Sequence, residues 1–279
     1  MPQVSLGTHM EAVETHYDKK ANSYESLRQS LFFRVYDAIT WRYLEPYVPS
    51  SPSSLVLDAG GGTGRWAIPM AKKGCKVILL DISEKMLNVA RQRVEVEGLQ
   101  DRIDIRKADM RHLDYPSDTF DLVFSDHTLF LFEQPNQLVS ELVRVLKKGA
   151  PIVMSAQNRL VQTLAHLPDD PTANPEIVQK ALKVLRKQEH SMLSQEPLIK
   201  IHSITPQEFH DLLKSNGLVV EKIVCKIATM PLRFAPQFIM KTNNPEEILS
   251  DILQLEVEFS EQPDAAALGG HLQAIAHKE

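Results

Sequence analysis

Between Ser53 and Asn158 the chain alternates short apolar runs with longer stretches whose apolar residues recur at helical spacing. That rhythm is the signature of a parallel sheet flanked by helices. SLVLDAG (Ser54 to Gly60) reads as a buried strand ending in glycines, and RWAIPMAKKG (Arg65 to Gly74) as a helix closed by Gly74, with Pro69 near enough to its start to be tolerated. KVILLD (Lys76 to Asp81) is a second strand. Ser83 is placed to N-cap a helix through Glu97, in which Met86, Leu87, Ala90 and Val94 share a face and Gly98 ends the run. RIDIRKAD (Arg102 to Asp109), FDLVFSD (Phe120 to Asp126) and PIVMSAQ (Pro151 to Gln157) supply three more strands. The last two are separated by a helix with the apolar stripe Leu138, Val139, Leu142, Val143 and Leu146.

Outside this stretch the pattern is less regular. Arg159 to Leu198 reads as a polar helical insertion without a strand, interrupted by Pro168, Pro171 and Pro175. TPQE at Thr205 predicts a capping box, and its helix ends at Gly217. Leu218 to Ile227 reads as a strand, Met230 to Glu261 as mixed helix and loop, and Gly269 to Lys278 as a closing strand. The first fifty residues are helical and amphipathic, rich in aromatics such as Tyr17, Tyr24 and Tyr36, while Met1 to Met10 shows no periodicity and is assigned no function. The expected organisation is therefore a helical cap or lid (1–50), a core (51–158), a helical lid insertion (159–204) and a C-terminal part (205–279) that completes the sheet, with a second insertion near 229–263.

Composition narrows the function. A formal net charge of −5, with no dense Lys/Arg stretch, disfavours a nucleic-acid partner. Cys75 and Cys225 lie far apart in apolar surroundings and read as buried small hydrophobes, with no metal-ligand spacing around them. No apolar run approaches the roughly 20 residues of a membrane span, and the expected location is cytoplasmic.

In an open parallel sheet, ligands bind outside the carboxyl ends of the strands. Four such ends carry a signal. After the first strand, Gly60, Gly61, Gly62 and Gly64 allow a tight turn and close backbone approach to a ligand. Asp81 ends the second strand about twenty residues downstream, a spacing suited to accepting ribose hydroxyls. Asp109 and Met110 follow the third, an acid able to accept from an adenine amino group beside an apolar side chain. Ser125, Asp126 and His127 follow the fourth. The glycine turn and Asp81 alone would also suit a dinucleotide.

The order DAGGGTG, LLDIS, KADM and FDLVFSD resembles the successive motifs of the class I S-adenosylmethionine-dependent methyltransferases, closest to the group containing ubiquinone- and menaquinone-biosynthesis enzymes and many small-molecule methyltransferases. The similarity covers roughly Val56 to Ser155. It implies an α/β, Rossmann-like, seven-stranded and mostly parallel sheet with helices on both faces and the last strand antiparallel. It also implies S-adenosylmethionine as cofactor and methyl transfer to an O, N, S or C nucleophile of a small-molecule acceptor. By the same resemblance Gly60, Gly61 and Gly62 lie against the methionine part of the cofactor, with Asp58 orienting the loop or the amino group. Asp81, with Ile82 beside it, holds the ribose, Asp109 and Met110 frame the adenine, and Ser125 lies near the methyl group. YDKKANSY resembles the family's N-terminal helix, with Tyr17 and Tyr24 closing over the cofactor. His127 is the candidate catalytic side chain, because a histidine there meets the acceptor and can exchange a proton near neutral pH. A packing histidine is the competing reading, and Asp126 fits a cap equally well. An NAD-dependent oxidoreductase and a non-catalytic, cofactor-binding regulatory protein are the alternative functions. The acceptor and the oligomeric state are not readable.

Overall fold

The computed structural model describes residues 6–165, 175–187, 191–194, 199–228, 245–262 and 264–279. Two helices, α1 (Leu6–Leu27) and α2 (Leu31–Leu44), precede the sheet. The strands and helices β1 (Leu55–Ala59), α3 (Ala67–Lys72), β2 (Lys76–Asp81), α4 (Glu84–Val96), β3 (Ile103–Lys107), β4 (Leu122–Ser125), α5 (Pro135–Val145) and β5 (Pro151–Gln157) then follow in the predicted alternation. After α6 (Arg159–Ala165) and α7 (Pro175–Leu185) come a small hairpin, β6 (Ser191–Ser194) and β7 (Ile199–Ile201), then α8 (Pro206–Ser215), β8 (Leu218–Lys226), α9 (Pro245–Ser260) and β9 (His271–Lys278).

Seven strands make one sheet in the order β3-β2-β1-β4-β5-β9-β8. The first five are mutually parallel, and β9 runs antiparallel to both β5 and β8. The chain leaves β1 toward β2 and β3 and returns to β4 on the other side. The carboxyl ends of β1 and β4 therefore flank the point where the winding reverses, the place where such sheets open a crevice.

Apolar side chains alternate to two cores, one on each face of the sheet. Leu57, Val123 and Met154 pack on one face with Leu138 and Leu142 of α5 and Phe209 of α8. Val56, Phe124 and Val153 pack on the other with Met70 of α3, Leu87 of α4, and Tyr36 and Ile39 of α2. Strands buried on both faces explain the near-continuous apolar runs of the sequence. The helix starts are equally local in origin: the Ser83 hydroxyl accepts from Met86 N, and Thr205 and Glu208 form the complete reciprocal cap. Both cysteines are buried and free. Among the described residues no helix is long and apolar enough to cross a membrane.

The structure differs from expectation in two places. The insertion expected to hold no strand contains β6, which pairs antiparallel with β7. Strands of four and three residues carry too little alternation to show, and β7 is secured instead by burying Ile199 and Ile201 while His202 N donates to Phe130 O at 2.8 Å. The second difference is the N-terminus, where α1 begins at Leu6, inside the segment assigned no periodicity. Met10, Val13 and Tyr17 continue one helical stripe, and Met10 and Val13 are buried. Much of the mixed segment read from Met230 lies outside the described residues, as do Pro168 and Pro171; α9 accounts for its later part.

Candidate functional site

A cavity opens at the carboxyl ends of β1, β2 and β4, with α1 along one side. Its floor is the glycine turn. Gly60 N and Gly61 N donate to Leu80 O at 2.8 and 2.9 Å, which ties the turn to β2. Gly60 has φ +79°, and a Cβ there would sit 2.3 Å from Thr128 Cγ2 and 2.9 Å from Met110 Cε. Glycine is required on both counts, and its absent side chain leaves backbone exposed to the cavity.

Asp81 reaches the cavity from the end of β2. Its Oδ2 accepts from Gly62 N at 3.0 Å and its Oδ1 from Ser83 N at 2.8 Å. Burial pushes its pKa up to about 6, against the opposing effect of these amides. Each oxygen retains a lone pair for a further donor. Ile82, Asp109 and Met110 continue the same wall. Asp109 is gripped by Arg111, whose Nε lies 3.0 Å from both carboxylate oxygens; burial would raise its pKa, but this pairing holds it below the ordinary range. Tyr17 and Tyr24 project from α1, their rings edge to face at 6.5 Å. Burial raises both hydroxyls above the ordinary tyrosine range.

Two predicted residues stand behind the wall. Ser125 is fully buried and spends its hydroxyl on Ala59 O at 3.1 Å and Thr128 Oγ1 at 2.6 Å, so that Thr128 forms the surface in its place. Asp58 is buried beneath the turn, and its Oδ2, 2.7 Å from where a Gly61 Cβ would stand, has no hydrogen-bond partner among the described residues. Burial and the charge of Asp126 push its pKa up to about 8. The ordinary value is 3.8, so between pH ~4 and ~8 the folded chain keeps a proton that the unfolded chain has released. This group therefore lowers stability as pH rises through that window. Asp58→Asn should flatten the fall in thermal midpoint between pH 5 and pH 8, and an unchanged slope would show that Asp58 ionises freely.

The fourth strand end closes the site. Asp126 and His127 both line the cavity. His127 has φ +60°, a left-handed conformation uncommon for a side-chain-bearing residue and one that clusters at functional sites. Its backbone N donates to Ser155 Oγ at 2.7 Å, which holds the turn. The ring packs edge-on against Tyr36 and Phe130 and lies 5.1 Å from the His271 ring. Its ring nitrogens make no hydrogen bond among the described residues. Burial, reinforced by Arg28 and Lys226 against the opposing Asp126, lowers its pKa to about 4, so the imidazole is neutral at pH 7.

Sequence reasoning did not single out Arg28 or Lys226. Arg28 is buried at the cavity wall, pairs with Asp37 at 2.7 Å, lies 4.5 Å from the Phe33 ring centroid and has an Nε without a partner among the described residues. Arg65 also lines the cavity and pairs with Asp37 and Glu25. A separate small pocket, lined by His9, Arg111 and Gln137, shares Met10, Leu131 and Phe132 with this cavity. The cradle suits a ligand with an amino-acid tail, and Asp81 suits a neighbouring ribose.

Residues 57–154 match the methyltransferase domain family. The chain is 29% identical over 165 residues to the ubiquinone/menaquinone biosynthesis C-methyltransferase of Hydrogenovibrio crunogenus, covering 58% of this chain and 65% of that protein. It is 31% identical over 160 residues to the demethylmenaquinone methyltransferase of Bacteroides fragilis, covering 55% of this chain and 63% of that one. The chain thus spans less than two thirds of the length of these relatives. In three dimensions it is similar to an S-adenosylmethionine dependent methyltransferase from Mesorhizobium loti, with TM-score 0.57, 20% identity and coverage of 88% of this chain and 100% of that one. The glycine turn, Asp81, Asp109 and the end of β4 all fall inside the segment that matches the methyltransferase domain family.

Proposed function

We propose that this chain transfers the methyl group of S-adenosylmethionine to an O, N, S or C nucleophile of a small-molecule acceptor. The observation that carries the reading is the cradle at Gly60, closed by Thr128 and Met110 and continuous with the amide-held carboxylate of Asp81. When bound, the cofactor supplies a methyl group already activated on a sulfonium. What remains for the chain is orientation, which can contribute roughly 7–11 kcal/mol to a two-substrate reaction.

In this reading Gly60, Gly61 and Gly62 admit the amino-acid tail, Asp58 supports the turn from beneath, and Arg28 is the cation available to the tail's carboxylate. Asp81 accepts from the ribose, with Ile82 beside it, and Asp109 and Met110 bound the adenine. Ser125 acts through Thr128, which it fixes against the turn. Tyr17 and Tyr24 exclude water from the side of α1. The acceptor meets His127 and Asp126, and the apolar surface of Val13, Leu131 and Phe132 favours a compact organic molecule over a polynucleotide, in keeping with the net charge of −5.

Asp81→Ala should weaken S-adenosylmethionine binding about 10- to 150-fold, the equivalent of a charged hydrogen-bond acceptor worth ~1.5–3 kcal/mol. Titration calorimetry measures this, and unchanged affinity would remove Asp81 from the site. The activity itself is tested by incubating the chain with methyl-labelled S-adenosylmethionine and an extract of the source cells. Label in a small molecule is expected; label only in RNA would replace the acceptor class, and no transfer would remove the activity.

A further inference from the structure

One face of the sheet changes character at its upper end. Phe124, Val153, Val224 and Ile275 pack apolar against the α2 side. Two residues further toward the cavity on each strand stand Asp126, Ser155, Lys226 and Gln273, which the strand alternation and register place on that same face. Lys226 is fully buried there. Its Nζ donates to Asp126 Oδ1 at 3.0 Å, to the Tyr36 hydroxyl at 2.8 Å and to Thr40 Oγ1 at 3.0 Å, so all three of its protons are used. Tyr36 donates in turn to the same Asp126 oxygen at 2.8 Å. The ammonium also lies 3.9 Å from the Tyr36 ring centroid.

A lysine removed from water is costly, and an apolar residue in this place would complete the core at less cost. The ion pair is instead aimed at one group. Asp126 is the only member of the triad Asp126, Tyr36 and Lys226 that lines the cavity, and it directly precedes His127.

We propose that Lys226 is a positioning residue for methyl transfer: with Tyr36 it clamps Oδ1 of Asp126, fixing a carboxylate anion at the acceptor end of the cavity to orient an acceptor that presents a hydroxyl or amine hydrogen. The proposal rests on the methyltransferase reading above and narrows the acceptor to a hydrogen-bond donor. Anion and neutral imidazole then stand side by side, the first to align the donor and the second to take its proton. The groups facing the Lys226 ammonium are Asp126 and His127 from the end of β4, Tyr36 and Thr40 from α2, His271 from β9, and Arg28 ahead of α2. Burial lowers Lys226 to about 8, against the pull of Asp126, while Asp126, which burial would raise, is held well below the usual carboxylate range by Lys226. Below pH ~8 the ammonium is present and the clamp intact; above it the proton is lost and the carboxylate loses its partner.

The test uses the full chain, labelled S-adenosylmethionine and the small-molecule fraction of the source-cell extract. Lys226→Met strands a buried carboxylate, so the double variant Lys226→Met with Asp126→Asn, which leaves no unpaired charge, is measured beside it. Both should bind S-adenosylmethionine within about threefold of the parent by calorimetry and lose about 100-fold in transfer rate, the scale of a misplaced reactant. The parent should also lose rate above pH ~8, and the double variant should lack that alkaline limb. A double variant that transfers at the parental rate, or keeps the same alkaline limb, overturns the proposal. Absence of transfer by the parent chain would instead overturn the methyltransferase reading.

Discussion

Removing the imidazole at position 127 should leave cofactor affinity within about threefold of the parent while methyl transfer falls about 100- to 1000-fold. The expectation follows from what the ring does and does not touch. It packs against Tyr36, Phe130 and His271, yet its nitrogens make no hydrogen bond among the described residues, and the residue lines the cavity where the acceptor approaches. With a pKa lowered to about 4, the ring is a proton acceptor at every physiological pH but a weak one, which places the loss in the lower part of the range for acid and base catalysis. The acid limb of the rate profile should accordingly lie near pH ~4. Because φ is +60°, alanine adds backbone strain, so His127→Asn, whose side chain tolerates the left-handed region, is the cleaner variant. Normal turnover in the asparagine variant would make the histidine structural.

Gly60→Val should cost about 2–5 kcal/mol of stability and abolish measurable cofactor binding. The Cβ alone would stand 2.3 Å from Thr128 Cγ2, and the backbone at φ +79° is left-handed. Strain of about 1–2 kcal/mol and overpacking of about 1–3 kcal/mol act together. Gly98 provides the comparison, since it has φ +66° but nothing within 4 Å of the place a Cβ would take. Gly98→Ala should therefore cost only about 1–2 kcal/mol and leave binding unchanged. Urea denaturation with calorimetry reads both quantities, and equal effects at the two glycines would mean that the cradle is not shaped for close approach.

These two sites differ in how visible they are in the sequence. The glycine turn and Asp81 stand at strand ends announced by apolar runs and Asp109 follows a strand announced by alternation, and the strands appear within a residue or two of their observed bounds. PIVMSAQ coincides with β5 throughout. Arg28 was not singled out, although it lies one helical turn beyond Tyr24, just past the end of α1. Lys226 and His271 were not. Each is one of several polar residues in its strand, and their meaning lies in cross-strand pairing, Lys226 opposite His271, which brings together residues 45 positions apart by the register alone. Ser125 shows the converse: its position in the motif order is plain, but only the fold shows that its hydroxyl is taken by Ala59 and Thr128. The β6–β7 hairpin went unseen because its strands are too short to express a period and depend on burial of Ile199 and Ile201.

The glycine turn followed by an acid is shared by dinucleotide and adenosylmethionine sites, so ligand choice decides the account. Thermal unfolding of the full chain with S-adenosylmethionine, S-adenosylhomocysteine and NAD, each at saturating concentration, is the direct measurement. Both sulfur nucleosides should raise the midpoint by several degrees, as a ligand at about 100 times its Kd adds roughly 2.7 kcal/mol, and NAD should leave it unmoved. Stabilisation by NAD alone would contradict the account.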